Sequence, residues 1–105
     1  MMGKNDIPEL TDEQRRENMR KAKEMRIERG ALRRRIERGE LSVSDVIAMD
    51  TQAAQRMRVY HLLCSIPHVG RAKAQKLMEE MHVSPSRRVM GLGSRQRAAL
   101  VEKFG

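Results

Sequence analysis

The sequence of 105 residues has no tryptophan, one tyrosine, one phenylalanine and one cysteine. With only Tyr60 and Phe104, it lacks the aromatic platform on which single-stranded bases stack. Cys64 has no partner for an internal disulfide, which points to a reducing, cytoplasmic setting. No apolar run approaches the ~18–20 residues of a membrane span, and Met1–Leu10 holds no stretch of signal-peptide length. Zinc is not expected either. His61 and Cys64 share a helix face with His68 just beyond, but a structural site asks for four ligands; His82 is distant and there is no second cysteine. Cys64 reads as a small buried hydrophobe. No Walker or dinucleotide fingerprint is present, since Gly91-Leu92-Gly93-Ser94 lacks the later glycine. The carboxylates fall mostly in the first third of the chain and in Glu79-Glu80, which suits no catalytic pocket. A non-enzymatic protein with no cofactor, no metal and no small-molecule substrate is therefore expected.

Positive charge is abundant. Lys and Arg number 22 against 14 Asp and Glu, a net of +8. So basic a chain favours a polyanionic partner, with nucleic acid as the default. The charge is unevenly spread: residues 1–38 carry 12 basic and 8 acidic side chains, residues 39–55 none and 3, and residues 56–105 carry 10 and 3. This divides the chain into a charged N-terminal arm, residues 1–40, and a basic module, residues 41–105, whose first stretch is an acidic joint.

The pattern is all-helical. Gly3, Asn5 and Pro8 make residues 1–10 a mobile lead-in. Thr11 and Gln14 form a capping box, from which a helix runs to about Gly30, with a short second helix over Ala31–Arg38. The stripe Met19, Ala22, Met25 is thin, so this arm buries little and is suited to ordering against a partner. Arg26, Arg29 and Arg33 share one face, either a solvated surface or a contact for nucleic acid. Gly39 is a C-terminal stop; Ser42 or Ser44 caps a short helix with Val46 and Ile47. Val59, Leu62, Leu63, Ile66 and then Ala74, Leu77, Met78, Met81 repeat the i, i+3, i+4, i+7 spacing of amphipathic helices. Leu100, Val101 and Phe104 supply a last apolar face, and the methionines are expected to fill the core.

Two joints between helices carry the functional signal. In the first, Pro67 ends a helix and Gly70 permits a tight turn; the next helix opens with free N–H groups, flanked by Arg71 and Lys73. In the second, Leu92 plugs the turn into the core between Gly91 and Gly93, Ser94 caps the last helix, and Arg87, Arg88, Arg95 and Arg97 surround it. Helix starts of this kind accept phosphate through N–H groups and dipole. Such contacts position a protein on nucleic acid but carry little sequence information.

These residues resemble a known family. Met57-Arg58-Val59 leading into Leu62-Leu63, then Ile66-Pro67-His68-Val69-Gly70 and Ala72-Lys73-Ala74, then Ser86-Arg87-Arg88-Val89 with Gly91-Leu92-Gly93-Ser94, look like the actinobacterial integration host factors over about Leu41–Gly105. The resemblance implies an all-α fold with a helix-two-turn-helix module. It also implies a nucleoid-associated protein that contacts duplex DNA through the backbone with little sequence preference, bends or compacts it, and supports recombination and chromosome organisation. The implied contacts are Pro67, Val69, Gly70, Arg71, Lys73, Arg87, Arg88, Gly91, Gly93 and Ser94, to which the residues of the two joints add His68 and Arg95 as expected contacts. Arg26, Arg29, Arg33, Arg56 and Arg58 would form a second contact. His68 stands where the family usually has glycine, and Met90 where a third arginine is common. A related hairpin in a small-subunit ribosomal protein keeps RNA or ribosome binding as the alternative. A monomer is expected without DNA.

Overall fold

In a computed structural model the described residues are 11–105; the expected mobile lead-in lies outside them. Among the described residues are six α-helices and one 3-10 turn: α1 Asp12–Glu37, α2 Val43–Ala48, α3 Gln52–Gln55, α4 Val59–Ser65, α5 Arg71–Glu80, the 3-10 turn Val89–Gly91, and α6 Ser94–Phe104. No β-strand occurs among the described residues, and the fold is all-α as expected.

α1 starts at the capping box read from the sequence: the Gln14 N–H donates to Thr11 Oγ1 at 3.1 Å and the Thr11 N–H to Gln14 Oε1 at 2.9 Å. The break at Gly30 does not occur. One helix of 26 residues runs through it, about 39 Å at 1.5 Å per residue. A glycine inside a helix costs about 1 kcal/mol relative to alanine. It ends a helix only where the backbone turns left-handed, and the next turn here is pinned by Leu32 and Ile36, 7% and 2% exposed. The stop comes at Gly39, with φ +76. There the Glu40 N–H reaches Arg35 O and the Gly39 N–H reaches Ile36 O, a Schellman ending. N-terminal to Leu32 no residue of α1 is buried, and Met19 and Ile27 are largely exposed. Arg20 pairs with Glu17 and with Glu24 along this exposed length.

Ser42, not Ser44, caps α2, in a reciprocal box with Asp45. α3, unmarked by any apolar period, is capped by Thr51. The core gathers Val46, Val59, Leu62, Leu63, Val89 and Leu100, all with no exposed surface, from α2, α4, the 3-10 turn and α6. Two expectations about it need correction. The methionines fill the core only in part: Met57 and Met78 are buried and the half-buried Met49 and Met81 pack against the core, while Met19 and Met90 lie 71% and 58% exposed. Val101 also faces outward; Leu100 and the half-buried Phe104 hold α6 to the core. An isolated antiparallel bridge ties residues 57–59 to 87–89, with Val59 N–H on Arg87 O and Val89 N–H on Met57 O, both at 2.9 Å. That bridge brings the start of α4 beside the arginine cluster of the second joint.

Candidate nucleic-acid interface

The first joint is built by a β-turn. The Val69 N–H donates to Ile66 O at 3.1 Å, Pro67 occupies the second position and His68 the third, with φ +70. A type II turn demands that left-handed third residue and favours glycine there, so His68 sits where glycine fits with less strain. Val69 is not a surface residue: its side chain is 7% exposed in the core and its N–H is spent on the turn. It anchors the joint. Gly70 then caps α5 in extended conformation, φ −85 and ψ 176, with no side chain capping the helix start. The first intrahelical bond is Ala74 N–H to Gly70 O at 2.9 Å. The N–H groups of exposed Arg71, Ala72 and Lys73 therefore have no partner within the helix. A Cβ on Gly70 would meet nothing within 4 Å. Neither backbone strain nor crowding demands glycine there; what it offers is bare backbone to something outside.

The second joint repeats the arrangement with different fastenings. Gly93, not Ser94, is the N-cap of α6; Ser94 is the first helical residue. Gln96 Oε1 accepts the Gly93 N–H at 2.9 Å, and Gln96 Nε2 donates to His82 O at 3.1 Å. Again no side chain caps the helix start, so N–H groups at its first turn are open. The arginines divide. Arg97 is half-buried and donates to Leu92 O at 3.2 Å and Val89 O at 3.1 Å, closing the 3-10 turn. Arg87 donates to Gly91 O at 2.9 Å and lies across Gly91, where a Cβ would come within 2.9 Å of Arg87 Cδ. Arg88 donates to Arg56 O at 2.7 Å. Arg95 is exposed and makes no ion pair or side-chain hydrogen bond among the described residues. Pro67, His68, Gly91, Gly93 and Ser94 are all exposed.

A third feature lies where α1 passes over the bridge. Arg26, Arg29 and Arg33 of α1 face Arg56, Arg58 and Arg88 across a cavity of about 390 Å³, with Gly30, Met57 and His61 completing its wall. Among the described residues no carboxylate lines it. Arg33 Nε donates to Ser65 Oγ at 3.0 Å, and the Ser65 hydroxyl donates to His61 O at 2.8 Å. Burial, then the nearby Arg33, Arg58 and Arg29, hold the His61 imidazole below its usual pKa. All five arginines read as a second contact are thus brought together. Among the described residues, no group of three or more His, Cys, Asp or Glu side chains is placed to hold a metal ion, and no helix is long and apolar enough to cross a membrane.

Residues 36–104 match the family model described as an S13-like H2TH domain. The chain is 44% identical to the integration host factor of Mycobacterium tuberculosis over 101 residues, covering 94% of this chain and 96% of that protein. It is 40% identical to the integration host factor of Streptomyces coelicolor, covering 94% of both. The chain belongs to this integration host factor family. Among solved structures, one of sIHF bound to an 8-base-pair palindromic DNA superposes with a TM-score of 0.79 at 39% identity, over 82% of this chain and 99% of that one.

For this integration host factor homologue, sequence reasoning missed two placements. Gln96 holds the second joint, and its signal was available: it stands three residues after Gly93, the spacing of a capping box. His61 enters the arginine cavity through the 57–59/87–89 bridge, a long-range pairing with no local signal.

Proposed function

We infer that this chain is a non-enzymatic, nucleoid-associated protein that binds double-stranded DNA, acting from the cytoplasm and monomeric until it meets DNA. The observation that carries the reading is the pair of helix starts, α5 and α6. Both are entered on glycine and left without a side-chain cap. Each leaves backbone N–H groups at the positive end of a helix dipole, an arrangement that takes phosphate oxygens without reading bases. Arg71, Lys73, Arg87, Arg88 and Arg95 add charge around them. Residues 41–105 make this contact. Within the arm, residues 1–40, Arg26, Arg29 and Arg33 join Arg56 and Arg58 in a second one. Two separated contacts on a duplex favour bending, which costs of order 1–6 kcal/mol for 40–90° and is offset by the added contacts. Compaction and support of recombination follow from such bending.

Anisotropy titrations on unrelated duplexes across a salt series test this. Affinity should fall linearly in log–log form with salt and vary little between sequences; discrimination on the order of 4 kcal/mol between them would overturn the backbone reading. The S13-like description of the domain keeps structured RNA as the competing ligand, and preference for it over duplex DNA at equal salt would favour that alternative.

A further inference from the structure

The cavity between α1 and the bridge differs from a flat phosphate track. Six arginines line about 390 Å³, and among the described residues no carboxylate joins them in the wall. Two of them are fixed in place by neutral acceptors: Arg33 by the hydroxyl of Ser65, which is 1% exposed, and Arg88 by the carbonyl of Arg56. Ser65 is the one buried polar side chain among the described residues, and its hydroxyl proton is already committed to His61 O. A lone pair therefore faces Arg33. A hydroxyl and a carbonyl orient the guanidinium groups without neutralising them, so their mutual repulsion is left for a ligand to relieve. A duplex presents one charge per phosphodiester along a convex surface. A linear oligophosphate concentrates several charges, with terminal oxygens suited to paired N–H donors, in a volume the cavity can hold.

We propose that the cavity is a binding site for an oligophosphate chain, as carried by a nucleoside 5′-triphosphate or by inorganic polyphosphate, and that its occupant competes with DNA for Arg88 and for the five arginines of the second DNA contact. Binding itself is independent of the DNA reading; only the competition rests on it. Arg33 and Arg88 grip the chain from opposite walls, Arg29 and Arg58 neutralise it, and Ser65 is a positioning residue. His61 reports occupancy. Arg29 and Arg33 face it from α1 and Arg58 from the start of α4, and the Tyr60 ring lies 5.9 Å away. An anion among these cations raises its pKa.

The test is calorimetric titration of the full chain with tripolyphosphate and, separately, with ATP at about 150 mM salt, with the His61 ring followed by NMR. Saturable binding with a His61 pKa rise of about half a unit or more is expected. Arg33→Ala should weaken binding about tenfold. Ser65→Ala should weaken it severalfold although no charge is removed, and Lys103→Ala, an exposed cation away from the cavity, should leave it unchanged. Equal affinity for the two ligands assigns the site to the phosphate chain alone; tighter ATP binding adds a nucleoside contact. Binding weaker than about 1 mM, a His61 ring that does not respond, or equal losses in Arg33→Ala and Lys103→Ala would overturn the site. Melting curves establish that each variant is folded. Gly70→Ala alters the α5 start alone and leaves the cavity residues in place, so failure of this site and failure of the DNA reading are distinguishable.

Discussion

Replacing Gly70 by alanine separates what the fold needs from what DNA needs. The residue lies at φ −85, which any residue adopts, and an added Cβ meets no atom within 4 Å. Alanine should gain about 0.4–1 kcal/mol by restricting the unfolded chain. It should lose a comparable ~0.5–1 kcal/mol because alanine is a poorer N-cap than glycine. Stability is therefore expected to change by less than about 1 kcal/mol, at most about 4–8 °C in Tm. Binding should behave differently. The Cβ projects into open space, and on the proposed reading that is where a phosphate would approach the Arg71, Ala72 and Lys73 N–H groups. Displacing it weakens hydrogen bonds to a charged group, each contributing about 1.5–3 kcal/mol. Loss of one such bond is about a 10- to 150-fold fall in affinity. No cation is removed, so the slope of log affinity against log salt should stay the same. Anisotropy titrations of both proteins on two unrelated duplexes across a salt series, paired with thermal melts, measure all three quantities. Unchanged affinity would refute the claim that the start of α5 grips DNA.

The two outer arginines of the second joint should split in the opposite sense. Arg95→Ala should lower the salt slope by about 0.9 and leave Tm alone, because the Arg95 side chain holds none of the described residues. Arg97→Ala strips the Val89 and Leu92 carbonyls of their donor and should cost about 1–3 kcal/mol of stability, read as a lower urea midpoint. His68→Gly should raise stability by roughly 0.5–1 kcal/mol, since it relieves the ~1–2 kcal/mol cost of a left-handed residue against the ~0.5–1 kcal/mol extra flexibility of glycine; a drop on melting would mean the imidazole is in use. His61 titrates below its usual value when folded, so the unfolded chain takes up its proton first. Stability from this group is full above about pH 6.5 and declines as pH falls from there to the folded pKa, a decline that His61→Gln should flatten in melts across that range.

Much of this was legible in the sequence because it is written locally. Caps are three-residue signals: Thr11-Gln14 lies where capping-box chemistry puts it, and Ser42 is one of the two serines the sequence offers for α2. The paired apolar stripes of α4 and α5 announced themselves by period. Glycine was harder to read because its meaning depends on φ. Gly39 is left-handed and stops α1, whereas Gly30 is helical and does not, and nothing within a few residues distinguishes them. The difference comes from Leu32 and Ile36, whose burial is a property of the whole core. Serine and glycine at the last joint were exchanged for a similar reason: Ser94 is the better cap in isolation, but Gln96 reaches back to both Gly93 and His82 and sets the helix start one residue earlier. The exposed methionines carried no such signal at all.

What the sequence could not distribute is the work of its arginines, because the acceptor decides it. Arg20 is paired with carboxylates, and its charge is largely spent within α1. Arg33, Arg87, Arg88 and Arg97 are held by a hydroxyl or by carbonyls, which fix the guanidinium plane while leaving its charge intact. Arg95 is unheld. A guanidinium offers five donors in a rigid fork, so it can spend one or two on the fold and still present others outward; an ammonium group has no such division. Neutral fastening also places the ordering cost of those long side chains in the folding of the chain rather than in the encounter with a polyanion. The continuity of α1 completes this arrangement. Because the helix does not break at Gly30, Arg26, Arg29 and Arg33 are carried on one rigid rod anchored by Leu32 and Ile36. They stand opposite Arg56, Arg58 and Arg88 at a spacing set by the core.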